Sequence, residues 1–182
     1  ENHGATVCYQ NLTWPDSGGM SFYLTYPENR SALLEVKTDL AHETFPLHCA
    51  TVTAIILSLE LATSALKEIF SSYRGAKRRF EIHRFGSCCL VDDAYNANPE
   101  SMLSGLKSFM LMCPQDKKWL ILGDMKELGE TSEDQHHKLG VMVGKLYSDA
   151  LVNFVGDMAC HFMKGLKSAS PKSARSKSYS SV

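Results

Sequence analysis

The sequence predicts an α/β fold: a mainly parallel sheet with crossover helices, preceded by a segment of antiparallel strands and helices. Three observations point there. Short apolar runs at Cys88–Val91, Trp119–Leu122 and Leu151–Val155 alternate with longer stretches of helical periodicity, and strand–helix–strand–helix–strand order implies parallel pairing through right-handed crossovers. Ahead of them, Met20–Tyr26 and Ala32–Lys37 are rich in Leu, Tyr, Phe and Val and flank the turn residues Pro27-Glu28-Asn29, the pattern of an antiparallel hairpin. The composition, 44% hydrophobic and 21% charged in 182 residues, suits a packed core and neither general disorder nor a fibrous repeat.

Along the chain, Cys49–Leu61 is an unbroken helix-compatible run, and Thr63-Ser64 offers a cap for a second short helix, Ala65–Ser72. The stretch Tyr73–Arg79 is basic, lacks apolar periodicity and contains Gly75, which suits a crossing between domains. After it, Met102, Leu106, Phe109, Met110 and Cys113 recur at helical spacing and share one face. That helix has a good start: Asn98 as N-cap, Pro99 where a missing N–H costs nothing, and Glu100 on the positive end of the dipole. Leu139, Val143, Leu146 and Tyr147 mark a second amphipathic helix, with Ser132 and Gln135 as a capping box. Beyond Lys164 the chain is rich in Ser and Lys and predicts disorder. The expected organisation is therefore a first domain over 1–74, a second over 75–164 and a disordered tail over 165–182.

Charge and cysteine usage exclude several classes. Nineteen Lys and Arg against twenty Asp and Glu leave a net charge of −1, with no field to gather nucleic acid or acidic lipid. The longest mostly apolar stretch, Ala50–Ala65, is broken by Thr51, Thr53, Ser58, Glu60, Thr63 and Ser64 and falls short of a membrane span. The opening Glu1-Asn2-His3 has no signal-peptide shape and reads as an internal stretch of a longer parent. Six cysteines, Cys8, Cys49, Cys88, Cys89, Cys113 and Cys160, form no CxxC and no close Cys/His pattern, so reduced thiols in a cytosol-like compartment and no metal site are expected.

Ligands of open parallel sheets bind outside the carboxyl ends of the strands, and three such ends carry polar groups: Asp92-Asp93, Gly123-Asp124 and Gly156-Asp157. The first passes into a helix N-terminus through Ala94-Tyr95-Asn96-Ala97-Asn98-Pro99. Two readings fit it. Asn and Asp stabilise turns and caps in any protein; equally, a carboxylate there grips a ribose hydroxyl while amides read a base edge or a phosphate. Asp124 and Glu127, set between Gly123 and Gly129, suit a shaped loop whose carboxylates bond locally, with substrate contact as the second reading. His136 has no carboxylate or nucleophile fixed beside it in sequence and reads as a packing or hydrogen-bonding residue; His137 has less claim to a role.

The strings Asp92-Asp93-Ala94-Tyr95-Asn96-Ala97-Asn98-Pro99-Glu100-Ser101-Met102 and Leu122-Gly123-Asp124-Met125-Lys126-Glu127-Leu128-Gly129, followed by Ser132 and His136, resemble the Mur ligase family. The likeness extends back through Lys77, Arg79 and Glu81 and forward to about Gly156, and is weaker over residues 1–72. The resemblance implies a Rossmann-like C-terminal domain preceded by the strand and helix end of the family's central ATPase domain. It implies ATP-dependent amide synthesis, in which a substrate carboxylate takes the γ-phosphoryl group, an amine attacks the acyl phosphate and phosphate leaves. Such chemistry needs magnesium and cationic groups on the phosphates and a site closed to water. The implied substrates are UDP-N-acetylmuramoyl-tripeptide and D-alanyl-D-alanine, used in peptidoglycan precursor synthesis by a monomer in bacterial cytoplasm or plastid stroma. By motif match, Arg79 reaches the ATP phosphates and Asp93 the ribose, Asn96 and Asn98 line the nucleotide or dipeptide side, and Tyr95 and Asp124 contact substrate.

The departures from the family pattern are equally specific. No GxxxxGK[ST] string occurs in the sequence, so the family's phosphate-cradling loop, with the lysine and hydroxyl expected at ATP and magnesium, is not supplied by these residues. His48-Cys49-Ala50-Thr51-Val52 stands where the family carries His-Asn-x-x-Asn, and Arg78 stands where it carries Gly before the arginine. The Ser-rich tail takes the place of a Lys-Gly-Ser-Arg motif. The chain is expected to be either a ligase fragment without activity of its own or a non-catalytic nucleotide-binding or interaction module that kept the fold. A phosphoacceptor receiver domain, whose first strand also ends in paired acids, fits less well: Asp124 comes early for a phosphoacceptor, and no Lys ends a later strand.

Overall fold

The computed structural model describes residues 7–15, 19–26, 34–112, 114–170 and 176–179. The chain divides into two compact units, Glu1–Asp93 with Lys107–Cys113, and Ala94–Leu106 with Pro114–Val182.

In the first unit, β1 (Cys8–Thr13), β2 (Met20–Thr25) and β3 (Leu34–Thr38) form an antiparallel sheet in that order. Period-two alternation sets the register: Met20, Phe22 and Leu24 are buried and stand opposite Thr38, Val36 and Leu34, so a one-residue slip would carry all three into water. The expected β2–β3 hairpin is present, although its turn residues Pro27-Glu28-Asn29 lie outside the described residues. The edge strand β1 was not legible, because its side chains are mostly exposed and polar; Asn11 takes a φ of 55° where its register with β2 shifts.

Two helices cover this sheet's core. α1 (Phe45–Ser58) starts ahead of Cys49 because Pro46 occupies its first turn, where no N–H is missed. It ends before Leu61 in a left-handed cap, with Glu60 at φ 53°, the Leu61 N–H on the Ile56 carbonyl and the Glu60 N–H on that of Leu57. α2 (Leu66–Ser72) has Ala65 at its N-cap and no side-chain cap, so the expected hydroxyl cap at Thr63-Ser64 is absent; the Thr63 carbonyl accepts the Leu66 N–H instead. Phe22 meets Phe45 edge to face at 6.2 Å, and Phe45 stacks on Tyr73 at 5.7 Å. Burying each of the two phenylalanine rings is worth about 1.5–3 kcal/mol. Burial also pushes the Cys49 thiol up to about 12, so this cysteine packs and stays protonated.

β4 (Glu81–Phe85) and β5 (Cys88–Asp92) form a separate antiparallel hairpin turning at Gly86, φ 56°. This corrects the parallel placement expected for Cys88–Val91. The partner strand escaped an apolar-run criterion because it carries Glu81, His83 and Arg84, and β5 itself is less buried than expected, with Leu90 55% exposed. Ala41, Phe80 and Met112 make a second buried cluster, against which the half-buried Trp14 packs.

The unit boundary falls within α3 (Pro99–Met112); Cys113, expected on its apolar face, lies outside the described residues. In the second unit, β6 (Trp119–Gly123), β7 (Leu151–Val155) and β8 (Lys177–Tyr179) form a parallel sheet in that order, with α4 (Ser132–Leu146) and α5 (Ala159–Ala169) between strands. The β6–β7 pairing is the parallel one expected. Disorder does not begin after Lys164: Phe162, Met163 and Leu166 give α5 a buried face that runs past it, and β8 bonds to β7 through its backbone while its own side chains stay exposed. Composition carries no trace of such a strand.

α4 and α5 are packed backbone to backbone. A Cβ added at Gly140 would lie 2.0 Å from the Phe162 carbonyl oxygen, and one at Gly165 would lie 2.0 Å from that of His137. Phe154 stacks on Phe162 at 4.5 Å under this seam. On the other sheet face Trp119 and Ile121 are 62% and 65% exposed, and the Trp119 indole N–H donates to Asn153 Oδ1 at 2.6 Å. No helix among the described residues is long and apolar enough to cross a membrane.

Gly→Ala inside a helix ordinarily stabilises by about 1 kcal/mol. Gly140→Ala should do the reverse, because the helices must separate, at a cost of about 1–3 kcal/mol. Thermal unfolding of Gly140→Ala beside the exposed-site control Lys145→Ala checks this; an unchanged midpoint for Gly140→Ala would mean the seam yields freely.

Candidate functional site

The two units each carry part of the predicted constellation. In the first, the chain enters β4 through a bend in which Arg78 and Phe80 both take left-handed conformations, φ 59° and 53°. Two carboxylates hold it. The Arg78 N–H donates to Glu81 Oε2 at 2.9 Å, and the Phe80 N–H donates to Asp93 Oδ1 at 2.9 Å. Arg78 also reaches Asp92, with Nε 4.0 Å from Oδ2. Arg79, between the two bent residues, is exposed and lies in the field of Asp93. Asp93 is exposed as a residue, yet partial desolvation of its carboxyl pushes it above its ordinary range, against the pull of the Phe80 N–H, His42 and Arg79. His42 is a residue the sequence did not flag. Its ring meets Phe80 edge to face at 5.0 Å, and only a structure could reveal a neighbour so far away in sequence.

In the second unit, Ala94–Asn98 leads into α3. Asn98 is the cap the sequence predicts: its Oδ1 accepts the Ser101 N–H at 2.9 Å, and Ser101 Oγ accepts the Asn98 N–H at 3.1 Å, a reciprocal capping box. Asn96 Oδ1 accepts the Ala97 N–H at 2.9 Å. Tyr95 is exposed. The side-chain carbonyls of both Asn residues thus shape the turn, and each amide still carries an NH₂ donor group.

Asp124, at the end of β6, has a side chain only 6% exposed. Its carboxylate accepts the N–H groups of Asp157 at 3.0 Å and Met158 at 3.1 Å, and Lys126 Nζ lies 3.1 Å away. It is a resident anion at the start of α5. Gly156 makes room for it: φ is 138°, and a Cβ there would fall 2.2 Å from Asp124 Oδ1. Burial pushes this carboxyl up, but Lys126 and the two N–H groups outweigh it and hold it below its ordinary range. His136 is fully buried; its Nε2 accepts the Met125 N–H at 2.9 Å and its Nδ1 donates to the Ser132 carbonyl at 2.7 Å. The β6–α4 loop is therefore fastened by Asp124 and His136, while Glu127 and Gly129 supply its left-handed bends, φ 61° and 54°. The expected Ser132–Gln135 capping box is absent: Thr131 is the N-cap and makes no side-chain cap, and His136 takes the Ser132 carbonyl.

Residues 78–174, more than half of the chain, match the family described as Mur ligase, glutamate ligase domain. The chain belongs to the Mur ligase family. Its relatives include a UDP-N-acetylmuramoyl-tripeptide–D-alanyl-D-alanine ligase of Mycobacterium tuberculosis, 39% identical over 67 residues, covering 35% of this chain and 13% of the relative. The ligase of the same name from Haemophilus influenzae is 26% identical over 150 residues, covering 79% of this chain and 30% of the relative. The chain thus spans less than a third of the length of these curated Mur ligases. Among solved structures, MurF from Acinetobacter baumannii matches with a TM-score of 0.81 at 23% identity over 99% of this chain and 37% of that one. MurF from Thermotoga maritima in complex with ADP matches with 0.70 at 22% identity over 98% of this chain and 38% of that one. These likenesses establish the fold.

The bend at Arg78 carries strain. A Gly there would adopt positive φ freely, whereas an L side chain costs about 1–2 kcal/mol, and this chain bears that cost at φ 59°. Arg78→Gly should raise the unfolding free energy by about 0.5 kcal/mol, the relief of strain exceeding the entropy Gly adds to the unfolded chain, as read from urea unfolding. For Asp124 the sign follows from its depressed pKa: the stabilisation is present above about pH 4, the ordinary carboxyl range, and is lost as pH falls through the folded value. Asp124→Ala should cost about 2–3 kcal/mol at pH 7, and the gap from wild type should narrow toward pH 2. A gap independent of pH would remove the carboxylate from this account.

Proposed function

We propose that this chain is part of an ATP-dependent amide ligase that adds D-alanyl-D-alanine to UDP-N-acetylmuramoyl-tripeptide, and that its share of the work is to hold the sugar side of the nucleotide and the incoming dipeptide. The observation that carries this is Asp93, an exposed carboxylate just past a strand end with one oxygen held by the Phe80 N–H. An ionised carboxylate so placed could accept ribose hydroxyls as well, since it takes several hydrogen bonds. In this reading Arg79 meets the phosphates, Asn96 and Asn98 turn their amide NH₂ groups to the nucleotide or dipeptide, and Tyr95 and Asp124 stand on the substrate side, Asp124 through the loop it fastens. The reaction belongs to the bacterial cytoplasm, or to a plastid stroma, and the protein works as a monomer.

The residues fit the nucleotide better than the metal. No group of three His, Cys, Asp or Glu among the described residues is placed to hold an ion, and the sequence has no GxxxxGK[ST] loop. Magnesium, when bound beside ATP, would neutralise phosphate charge; the contribution of this chain is Arg79 on the phosphates and Asp93 on the sugar. The same observation favours, for the 182 residues by themselves, a nucleotide-binding module without turnover.

Two outcomes follow. The purified chain should release no phosphate from ATP in the presence of D-alanyl-D-alanine, and sustained phosphate release above a boiled control would contradict this. In a full-length ligase carrying these residues, Asp93→Ala and Arg79→Ala should each lower kcat/KM by about a hundredfold or more, the loss of one charged contact in a desolvated site. Asp93→Asn should retain fold stability at pH 7, because the amide keeps an oxygen to accept the Phe80 N–H, and still lose nucleotide affinity. Near-normal kinetics in the Asp93 and Arg79 variants would sink the assignment.

A further inference from the structure

We propose that His42 is a positioning residue that aims Asp93 at the nucleotide, an inference that rests on the ribose role given to Asp93 above. His42 lies between β3 and α1, and its neighbours pin it. Ala41 before it is fully buried with Phe80 and Met112. After it, the Glu43 N–H donates to the buried Ser108 Oγ at 2.9 Å. The ring is fixed as well: Nδ1 lies 2.9 Å from Thr44 Oγ1 and receives the Thr44 N–H at 3.4 Å. With Nδ1 as acceptor, the neutral imidazole carries its hydrogen on Nε2. All of these residues belong to the first unit.

What this fixed ring does is set by its two neighbours. Its edge contact with Phe80, at 5.0 Å and 82°, holds the residue whose N–H grips Asp93 Oδ1, so Thr44, His42, Phe80 and Asp93 form one continuous support. Burial holds the imidazole's pKa below its ordinary value, against the pull of Asp93 and Glu43, so the ring is neutral and acts on Asp93 through Phe80 rather than through charge. A ribose hydroxyl therefore meets an acceptor already oriented, which lowers the ordering cost of binding.

The test uses the 182-residue chain, with amide exchange of Phe80 followed by NMR and Mg-ADP affinity by calorimetry. In His42→Ala the Phe80 amide should exchange at least about tenfold faster, and ADP affinity should fall about tenfold. His42→Phe keeps a ring against Phe80. It should restore Phe80 protection and ADP affinity together, and it covers the case in which the alanine variant fails to fold. Unchanged ADP affinity in His42→Ala, or ADP affinity that stays low in His42→Phe while Phe80 protection returns, overturns the proposal. If wild-type protein binds no ADP while His42→Ala still exposes the Phe80 amide, the nucleotide role of Asp93 has failed, and His42 is a clamp on the linker bend without a positioning role.

Discussion

The hydrogen bond from the Phe80 N–H to Asp93 ties the basic bend at residues 78–80 to the acidic end of β5, and the path of the chain into β4 depends on it. It fixes one oxygen of the carboxylate. It also holds Phe80 in a left-handed conformation that an aromatic residue does not choose unaided, and so sets how Arg79, next in the chain, leaves the bend. The Arg78 N–H on Glu81 steadies the same turn from its other side. Backbone strain and a carboxylate with a raised pKa are each unfavourable alone, and one hydrogen bond joins the two here.

Asp93 and Asp124 make an instructive pair, because they are the same residue type at the ends of two strands and their environments push them in opposite directions. Asp124 receives two backbone N–H groups and an ammonium, which together repay its burial. Its carboxylate fills the position at the start of α5 where a Rossmann-like domain could otherwise take an anionic ligand. Asp93 is an exposed residue that accepts the Phe80 N–H, and partial desolvation leaves its pKa raised. The β6–α4 loop, fastened by Asp124 and by His136, is a shaped support.

Local chemistry explains which of these features could be read in the sequence. Asn98-Pro99-Glu100 announced a helix start, and Asn98 caps it; the buried alternation of Met20, Phe22 and Leu24 announced β2. The parallel pairing of β6 and β7 followed from their apolar runs. Elements held by backbone bonds or by partners distant in the chain left no such mark. β1 and β8 carry mostly exposed side chains, β4 mixes charged residues with half-buried ones, and the left-handed turn at Glu60 ended α1 earlier than its apolar run suggested. The Gly140–Gly165 seam reads as ordinary helix interior until both helices are placed. For the site the same division holds: the motif strings marked Asp93, Asn96, Asn98 and Asp124, whereas the roles of His42 and Phe80 arise from contacts that no spacing rule connects.

The chain holds two tryptophans, and the fold deals one to each unit. Trp14 is half-buried against the cluster around Phe80, whereas Trp119 stands largely in water with its indole bonded to Asn153. Intrinsic fluorescence is therefore already a two-colour probe: a blue-shifted component reports the half of the molecule bearing Asp93, and a red-edge component reports the half bearing Asp124. Phenylalanine at either position would leave a single emitter, so the melting of each half could be followed without attaching any dye.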